Sequence, residues 1–87
     1  MTREAIEQRR RQRREFLERL YDEVDADVSR FVSAWEIASA VGIGEADARR
    51  VLEYFAEKGY LHVDDHRAGT VRLTVAGLDH IEEQRLG

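Results

Sequence analysis

The spacing of the apolar residues changes at Gly59, and this change constrains the fold more than any other feature of the chain. Upstream, Leu52 and Phe55 belong to a stripe that repeats about every 3.6 residues, the period of an α-helix. Downstream, Leu61 and Val63 alternate with polar residues, which is the period of a β-strand. A helix must therefore be followed almost directly by a strand, and glycine suits the junction because it readily adopts the left-handed conformation that ends helices.

Four apolar stripes at helical spacing predict four helices, and a second alternating segment predicts a partner for the first strand. The stripes are formed by Phe16, Leu17, Leu20, Tyr21 and Val24, by Ile37, Ala38 and Val41, by Ala48, Val51, Leu52 and Phe55, and by Leu78 and Ile81. The strands are expected over 61–64 and 70–73, with a loop over 65–69, and a brief extended segment is expected near 28–32. The chain is therefore predicted to be mainly α with a small β-hairpin, an α+β fold.

Polar and glycine residues mark the predicted helix ends. Ser33 and Glu36 have the spacing of a capping box, in which the hydroxyl and the carboxylate satisfy the first free amides of a helix. Thr74 is the corresponding N-cap of the last helix. Gly42 and Gly59 end the second and third helices, so the third helix is expected over 45–58.

The charge of the chain is unevenly distributed. The 87 residues suit one compact domain, and the net charge of −4 argues at face value against a nucleic-acid partner. Residues 1–19, however, hold seven Arg and four Glu, a net charge of +3, while residues 20–87 hold seven basic and 14 acidic residues, a net charge of −7. The total charge therefore does not exclude a phosphate-binding surface in the N-terminal part.

The most basic segment is residues 1–14, which lack an apolar face. Arg10, Arg11, Arg13 and Arg14 are crowded here among good helix formers, so we expect an Arg-rich arm or helical extension over 1–14, before a domain over 15–87. These four arginines are candidates for contact with nucleic-acid phosphates. The same segment also fits a solvated helix or a helix that docks on an acidic protein.

Composition argues against several classes of protein. The chain has no Cys, which excludes a disulfide scaffold, a Cys-based zinc site and thiol chemistry. It has no run of 18 apolar residues and no signal-like start, so we expect a cytoplasmic protein without a membrane partner. No nucleophile with a base and no metal-ligand set is visible, so we expect no enzyme activity, no metal and no cofactor, and no small-molecule ligand is evident.

Three groups of residues resemble the winged helix-turn-helix family of bacterial and archaeal transcriptional regulators. They are Ile37-Ala38 with Val41-Gly42-Ile43, then Ala48, Leu52 and Phe55 with Lys58-Gly59-Tyr60-Leu61, and finally Leu73-Thr74 with Gly77. They are similar to the family's second helix and turn, its recognition helix and exit into the wing, and its step from the wing to the last helix. The resemblance covers residues 15–85 and implies a winged helix-turn-helix with an Arg-rich N-terminal helical extension.

The resemblance implies a small regulator that contacts duplex DNA through the third core helix (45–58) and the wing (61–73). With the apolar stripe inside, the outer face of that helix carries candidate contacts at Ala46, Arg49, Arg50 and Glu53. Arg49 and Arg50 suit guanine or phosphate, and Glu53 suits a cytosine amino group. An i,i+4 ion pair of Arg49 with Glu45 or Glu53 on a solvated face is the alternative.

The predicted wing carries His66 and Arg67 at its tip and Arg72 on its outer strand face. Arg67 and Arg72 are candidates for contact with the DNA backbone or the minor groove, and Arg67 is the better placed. A solvated hairpin tip is the alternative, since Asp64 and Asp65 lie in the same region.

Winged helices also serve as protein-interaction or dimerisation modules without DNA binding, and the acidic residues of segment 45–58 favour this second function. A homodimer is expected for a reader of two half-sites, through Ile6 with the first helix or through Leu78, Ile81 and Leu86.

Overall fold

Residues 2–87 are described by a computed structural model; Met1, the first residue of the predicted arm, lies outside the described residues. The elements are α1 (Arg3–Val24), β1 (Val32–Ser33), α2 (Ala34–Ala40), α3 (Glu45–Lys58), β2 (Leu61–Asp65), β3 (Thr70–Leu73) and α4 (Val75–Leu86). Over the described range the chain therefore forms four helices and a three-stranded antiparallel sheet. The predicted mixed α+β class is confirmed.

Most predicted helix ends are found at their local signals, although α2 ends at Ala40, two residues before Gly42. The Ser33 hydroxyl accepts a hydrogen bond from the Glu36 backbone N–H at 3.3 Å, and the Thr74 hydroxyl accepts one from Gly77 at 3.1 Å. Helix α3 has the predicted bounds and ends at Gly59, whose φ of +78° is the left-handed conformation that favours glycine. These ends follow from residues that act on their own neighbours, which is why the sequence alone predicts them.

Helix α1 is longer than its apolar stripe. Its 22 residues run without a break from the Arg-rich segment into the core, so the predicted boundary between residues 14 and 15 falls within one helix. The Thr2 hydroxyl caps its start by accepting from the Ala5 N–H at 3.2 Å. It ends at Asp25, which has a left-handed φ of 53°.

The sheet has one more strand than the predicted hairpin. β3 lies in the middle, with β2 on one side and β1 on the other, so Val71 pairs with both Val32 and Val63. A backbone hydrogen bond of 2.7 Å from Ala34 N to the Gly69 carbonyl ties the start of α2 to the end of the hairpin loop. The short β1 thus anchors the hairpin to the helices.

The core forms where the inner faces of the helices meet one face of the sheet. Its largest fully buried side chains are Phe16, Leu17, Leu20, Val24, Val71, Leu73 and Ile81. The Phe16 and Phe55 rings stack at 6.2 Å between centroids and join α1 to α3. Tyr21, Val41 and Leu78, predicted as inner positions, are half-buried and pack at the edge of this core.

Polar contacts fasten α4 to α1. The Tyr21 hydroxyl donates to the Glu82 carboxylate at 2.8 Å, and the Arg85 guanidinium donates to Asp22 at 3.0 Å. The hydrogen bond to Glu82 raises the pKa of Tyr21 above 10.0, because only the protonated hydroxyl can donate it, and burial adds to the rise. The hydrogen bond to Asp22 raises the pKa of Arg85. No helix within residues 2–87 combines the length and the apolar composition that crossing a membrane requires.

Candidate nucleic-acid interface

Helix α3 presents the predicted outer face to solvent. Its buried side is formed by Ala48, Val51, Leu52 and Phe55, as the apolar stripe indicates. Ala46, Arg49, Arg50 and Glu53 are all exposed. The two arginines are adjacent in the sequence, however, and successive helical side chains point about 100° apart, so they face different neighbours.

Arg49 leans toward α2. Its guanidinium lies 3.7 Å from the Glu45 carboxylate and 5.3 Å from the centre of the Trp35 ring. The i,i+4 pair that the sequence offered as an alternative to DNA contact is therefore present, with Glu45 as the partner. The Arg49 side chain nevertheless remains 59% exposed, so its donors stay within reach of a ligand.

Trp35 forms the floor of a depression beside Arg49. The depression has a volume of about 460 Å³ and also receives Arg67 from the loop between β2 and β3. Its lining residues are Trp35, Ala38, Ser39, Ile43, Glu45, Ala48, Arg49 and Arg67. The structure therefore brings together two predicted contact residues that are far apart in the sequence, and we call this surface the Arg49–Arg67 depression.

The loop that carries Arg67 is ordered by Asp65. The Asp65 carboxylate accepts hydrogen bonds from the backbone N–H groups of Arg67, at 2.9 Å, and Ala68, at 3.0 Å. This is the arrangement by which a short acidic side chain stabilises a turn. The sequence offered Asp65 as an argument against anion contact, but this last residue of β2 stabilises the loop that follows it. The Arg67 side chain itself is exposed.

Arg72 lies apart from the Arg49–Arg67 depression. It is paired across the sheet with His62, and its Nε lies 3.9 Å from the Asp64 carboxylate, which also lies 3.4 Å from His62 Nε2. Its guanidinium is 6.0 Å from the ring of Phe31. Arg72 is half-buried, and its nearest partners belong to the outer face of the sheet.

Arg50 points the other way, toward α1. Its guanidinium lies 3.5 Å from Asp47 and lines a second cavity of about 340 Å³ with Arg9, Arg13 and Tyr54. The structure thus brings Arg50 and Arg13, both predicted contacts, to one surface and leaves Arg49 on another. Arg49 and Arg50 therefore belong to two separate surfaces.

The Arg-rich turns of α1 pack along α3. Gln12 donates to the Asp47 carboxylate at 3.3 Å, and the Arg13 guanidinium lies 4.4 Å from the centre of the Tyr54 ring. Both Gln12 and Arg13 are half-buried, so the expectation that this segment has no packing face is wrong at these two positions. The sequence-based reasoning overlooked Gln12, Asp47 and Tyr54, because polar and cation–π contacts leave no apolar periodicity to detect.

The remaining predicted arginines of α1 are all exposed. Arg10 and Arg14 line a third cavity, between α1, α3 and α4. Arg11 is exposed and lines neither this cavity nor the one shared by Arg13 and Arg50.

No model of a known protein family, no curated protein sequence and no solved structure matches this chain. Among residues 2–87, no three or more His, Cys, Asp or Glu side chains are grouped so that they could hold a metal ion. The α3 surface offers arginine guanidinium groups beside aromatic rings, which can form charge-assisted hydrogen bonds with anions and base edges and can stack.

Proposed function

We propose that this chain is a winged-helix DNA-binding protein, a small transcriptional regulator that contacts duplex DNA through α3 and the wing formed by β2, β3 and their loop. The order of elements supports the proposal, because helix, strand, helix, helix, two strands and a final helix is the order of a winged helix. The short turn between α2 and α3, with Gly42 at a φ of +75°, supports it further.

One observation carries the proposal: Arg49 from α3 and Arg67 from the wing tip line the same depression. A recognition helix and a wing that act together on one duplex need cationic groups that converge from both elements. Arg49 is suited to a bidentate contact with guanine or to a phosphate, and Arg67 is suited to the backbone beside it.

The ion pair between Arg49 and Glu45 does not oppose this function. Both side chains are more than half exposed, at 59% and 84%, and such surface pairs contribute about 0.2–1 kcal/mol. A DNA phosphate can therefore replace Glu45 as the partner of Arg49 at little cost. The neighbouring Ala46 is small enough to admit a base edge, while Glu53 is available to a cytosine amino group.

The experiment is a titration of fluorescently labelled random-sequence duplex DNA with the protein, followed by anisotropy at about 50 and about 200 mM salt. Phosphate contacts predict an affinity that falls several-fold or more over this range, because bound counterions are released. Absence of binding at the lower salt concentration would refute the proposal.

Arg67→Ala provides the residue-level test, with Arg30→Ala as its matched control. Both arginines are exposed and lie in loops, and each change removes one positive charge. Loss of one phosphate contact lowers the slope of log affinity against log salt by about 0.9, and we expect this for Arg67→Ala only. Equal slopes for the two variants would exclude Arg67 from the contact.

Trp35 supplies an independent signal, because it is the single tryptophan of the chain and lies beneath Arg49. DNA that engages the Arg49–Arg67 depression is expected to change Trp35 emission. Arg49→Ala should weaken this change, whereas Arg50→Ala, on the α1 side of α3, should preserve it.

A protein-interaction module without DNA binding is the second candidate function. It is favoured by the acids of α3, since Arg49 and Arg50 each pair with a carboxylate of the same helix. This candidate would be favoured over the first if the protein bound no DNA at either salt concentration and if sedimentation showed self-association that increases with protein concentration.

A further inference from the structure

A cavity of about 370 Å³ lies between α1, α3 and α4, on the side of α3 that faces away from Arg49. Its walls are supplied by the Arg-rich turns of α1, the C-terminal turn of α3, and α4. Tyr54, Phe55 and Tyr60 contribute aromatic surface, and His80 and Gln84 enter from α4. None of these α4 residues lines the Arg49–Arg67 depression, so the two surfaces are separate.

The charge of this cavity is of one sign. Arg10, Arg13, Arg14 and Lys58 all line it, and its lining contains no Asp or Glu. This is unusual in a chain that has 18 acidic and 14 basic residues. The lining therefore favours anions over cations inside the cavity.

The four cations also lack carboxylate partners among the described residues. Elsewhere in the range 2–87, six arginines lie 3.0–3.9 Å from a carboxylate. These are Arg3, Arg19, Arg49, Arg50, Arg72 and Arg85. The chain is acidic overall and pairs these six arginines with carboxylates, yet the four cations of the cavity have no such partner among the described residues.

Aromatic rings hold two of these cations in position. The Arg13 guanidinium lies 4.4 Å from the centre of the Tyr54 ring, and the Lys58 ammonium lies 6.0 Å from that of Tyr60. Tyr60 is itself fixed, since its ring stacks on His80 at 4.7 Å and on Phe55 at 6.1 Å. Ordering the cations before a ligand arrives reduces the entropy lost on binding.

We propose that this cavity binds a small, multiply charged anion that carries phosphoryl groups, such as a diphosphate or a phosphate ester. Guanidinium groups form paired hydrogen bonds with phosphoryl oxygens, and Lys58 adds a point charge on the opposite wall. The cavity volume falls within the range of small-molecule sites. The proposal does not depend on DNA binding, because it rests on a different surface.

The test is a titration of the full chain with inorganic pyrophosphate at constant ionic strength, followed by the backbone amide NMR signals of Lys58 and His80. Saturable shifts at these amides are expected. Arg14→Gln combined with Lys58→Gln should weaken binding by about tenfold or more, since charge-assisted hydrogen bonds are lost. An unchanged affinity in this double variant would overturn the proposal, as would shifts that do not saturate.

Matched controls separate the site from general electrostatic attraction. Arg19→Gln combined with Arg30→Gln removes the same charge at exposed positions outside the cavity and should leave the affinity unchanged. Arg14→Lys combined with Lys58→Arg keeps the charge and should restore most of the binding, and circular dichroism verifies the fold of each variant. Equal weakening by the control pair would overturn the proposal.

Two further probes identify the ligand class. Phenyl phosphate should shift the same amides and phenol should not, because the phosphoryl group supplies the recognised charge. Equal binding of phenol would overturn the proposal. If duplex DNA displaced pyrophosphate, as reported by the Lys58 and His80 amide signals, the assignment to a small ligand would be overturned. The cavity would then be a site for a nucleic-acid phosphate.

Discussion

The indole of Trp35 lies directly against the backbone of Gly69. A Cβ atom on Gly69 would lie 2.5 Å from both Cε2 and Nε1 of the indole, closer than such atoms approach in folded proteins. Gly69 also has a φ of +71°, which side chains rarely adopt. The contact fixes the wing loop, and with it Arg67, relative to the first turn of α2.

Gly69→Ala should therefore destabilise the protein by about 2–5 kcal/mol, the sum of the left-handed backbone penalty and the steric overlap with Trp35. Gly42→Ala is the matched control, because Gly42 has a φ of +75° but no atom within 4 Å of an added Cβ. It should cost only the backbone part, about 1–2 kcal/mol. Urea unfolding measures both values, and equal losses would show that Trp35 does not restrict the site.

Arg13→Ala should lower the free energy of unfolding by about 0.5–1 kcal/mol, because the contact with the Tyr54 ring is lost. Arg11→Ala, two positions away on the same helix and exposed, removes the same charge and should change stability by less than about 0.5 kcal/mol. The two variants are compared by thermal unfolding. A loss for Arg11→Ala that matches the loss for Arg13→Ala would mean that α1 does not dock on α3 through this ring.

Thr74 links two helices, since its hydroxyl accepts from Gly77 at the start of α4 and donates to the Gly59 carbonyl, 2.5 Å away, at the end of α3. Thr74→Val keeps the shape and removes both bonds, so a loss of about 1–2 kcal/mol is expected. Thr2→Val removes a single cap at the exposed start of α1 and should cost about 0.5 kcal/mol or less. Chemical denaturation measures the free energy lost in each variant. The larger loss for Thr74→Val should disappear if Thr74 acts only through its methyl group, which Val retains.

The raised pKa of Tyr21 predicts a pH dependence in the alkaline range. A folded-state pKa above 10.0 means that the contribution of Tyr21 to stability is fully present below pH 10.0 and is lost as the pH rises through the folded-state pKa. Glu82→Ala should bring the pKa of Tyr21 back toward 10.0, and Glu83→Ala, its exposed neighbour, should not. The ring-carbon NMR signal of Tyr21 reports the titration directly; identical curves for the two variants would refute the role of Glu82.

Sequence patterns predict the elements of this fold better than their contacts. The bounds of α3 follow from an apolar stripe and from Gly59, which are both local signals. β1 is predicted only as an extended segment, because its pairing of Val32 with Val71 joins residues far apart in the chain. That Arg49 and Arg67 line one depression is unpredictable for the same reason, since it depends on how the wing packs against α2.

The contacts of the Arg-rich turns of α1 with α3 could not be predicted for a different reason. Hydrophobic periodicity detects faces that exclude water, whereas Gln12 and Arg13 bury part of their length through a hydrogen bond and a ring contact. A polar residue that packs in this way has the same pattern in the sequence as one that is fully solvated. The sequence therefore predicts an arm or helical extension over 1–14 but not the contacts that Gln12 and Arg13 make with α3.

The unbroken course of α1 gives the chain a strict register. Each residue of a helix adds about 1.5 Å of length and about 100° of rotation, so the direction of every N-terminal arginine is set by the buried Phe16 and Leu17. Deleting Glu15, the single residue between Arg14 and Phe16, would change the net charge by only one. It would nevertheless turn the whole basic segment by more than a quarter of a circle, away from both α3 and α4. The length of this stretch is thus as much a determinant of the basic surface as the arginines themselves.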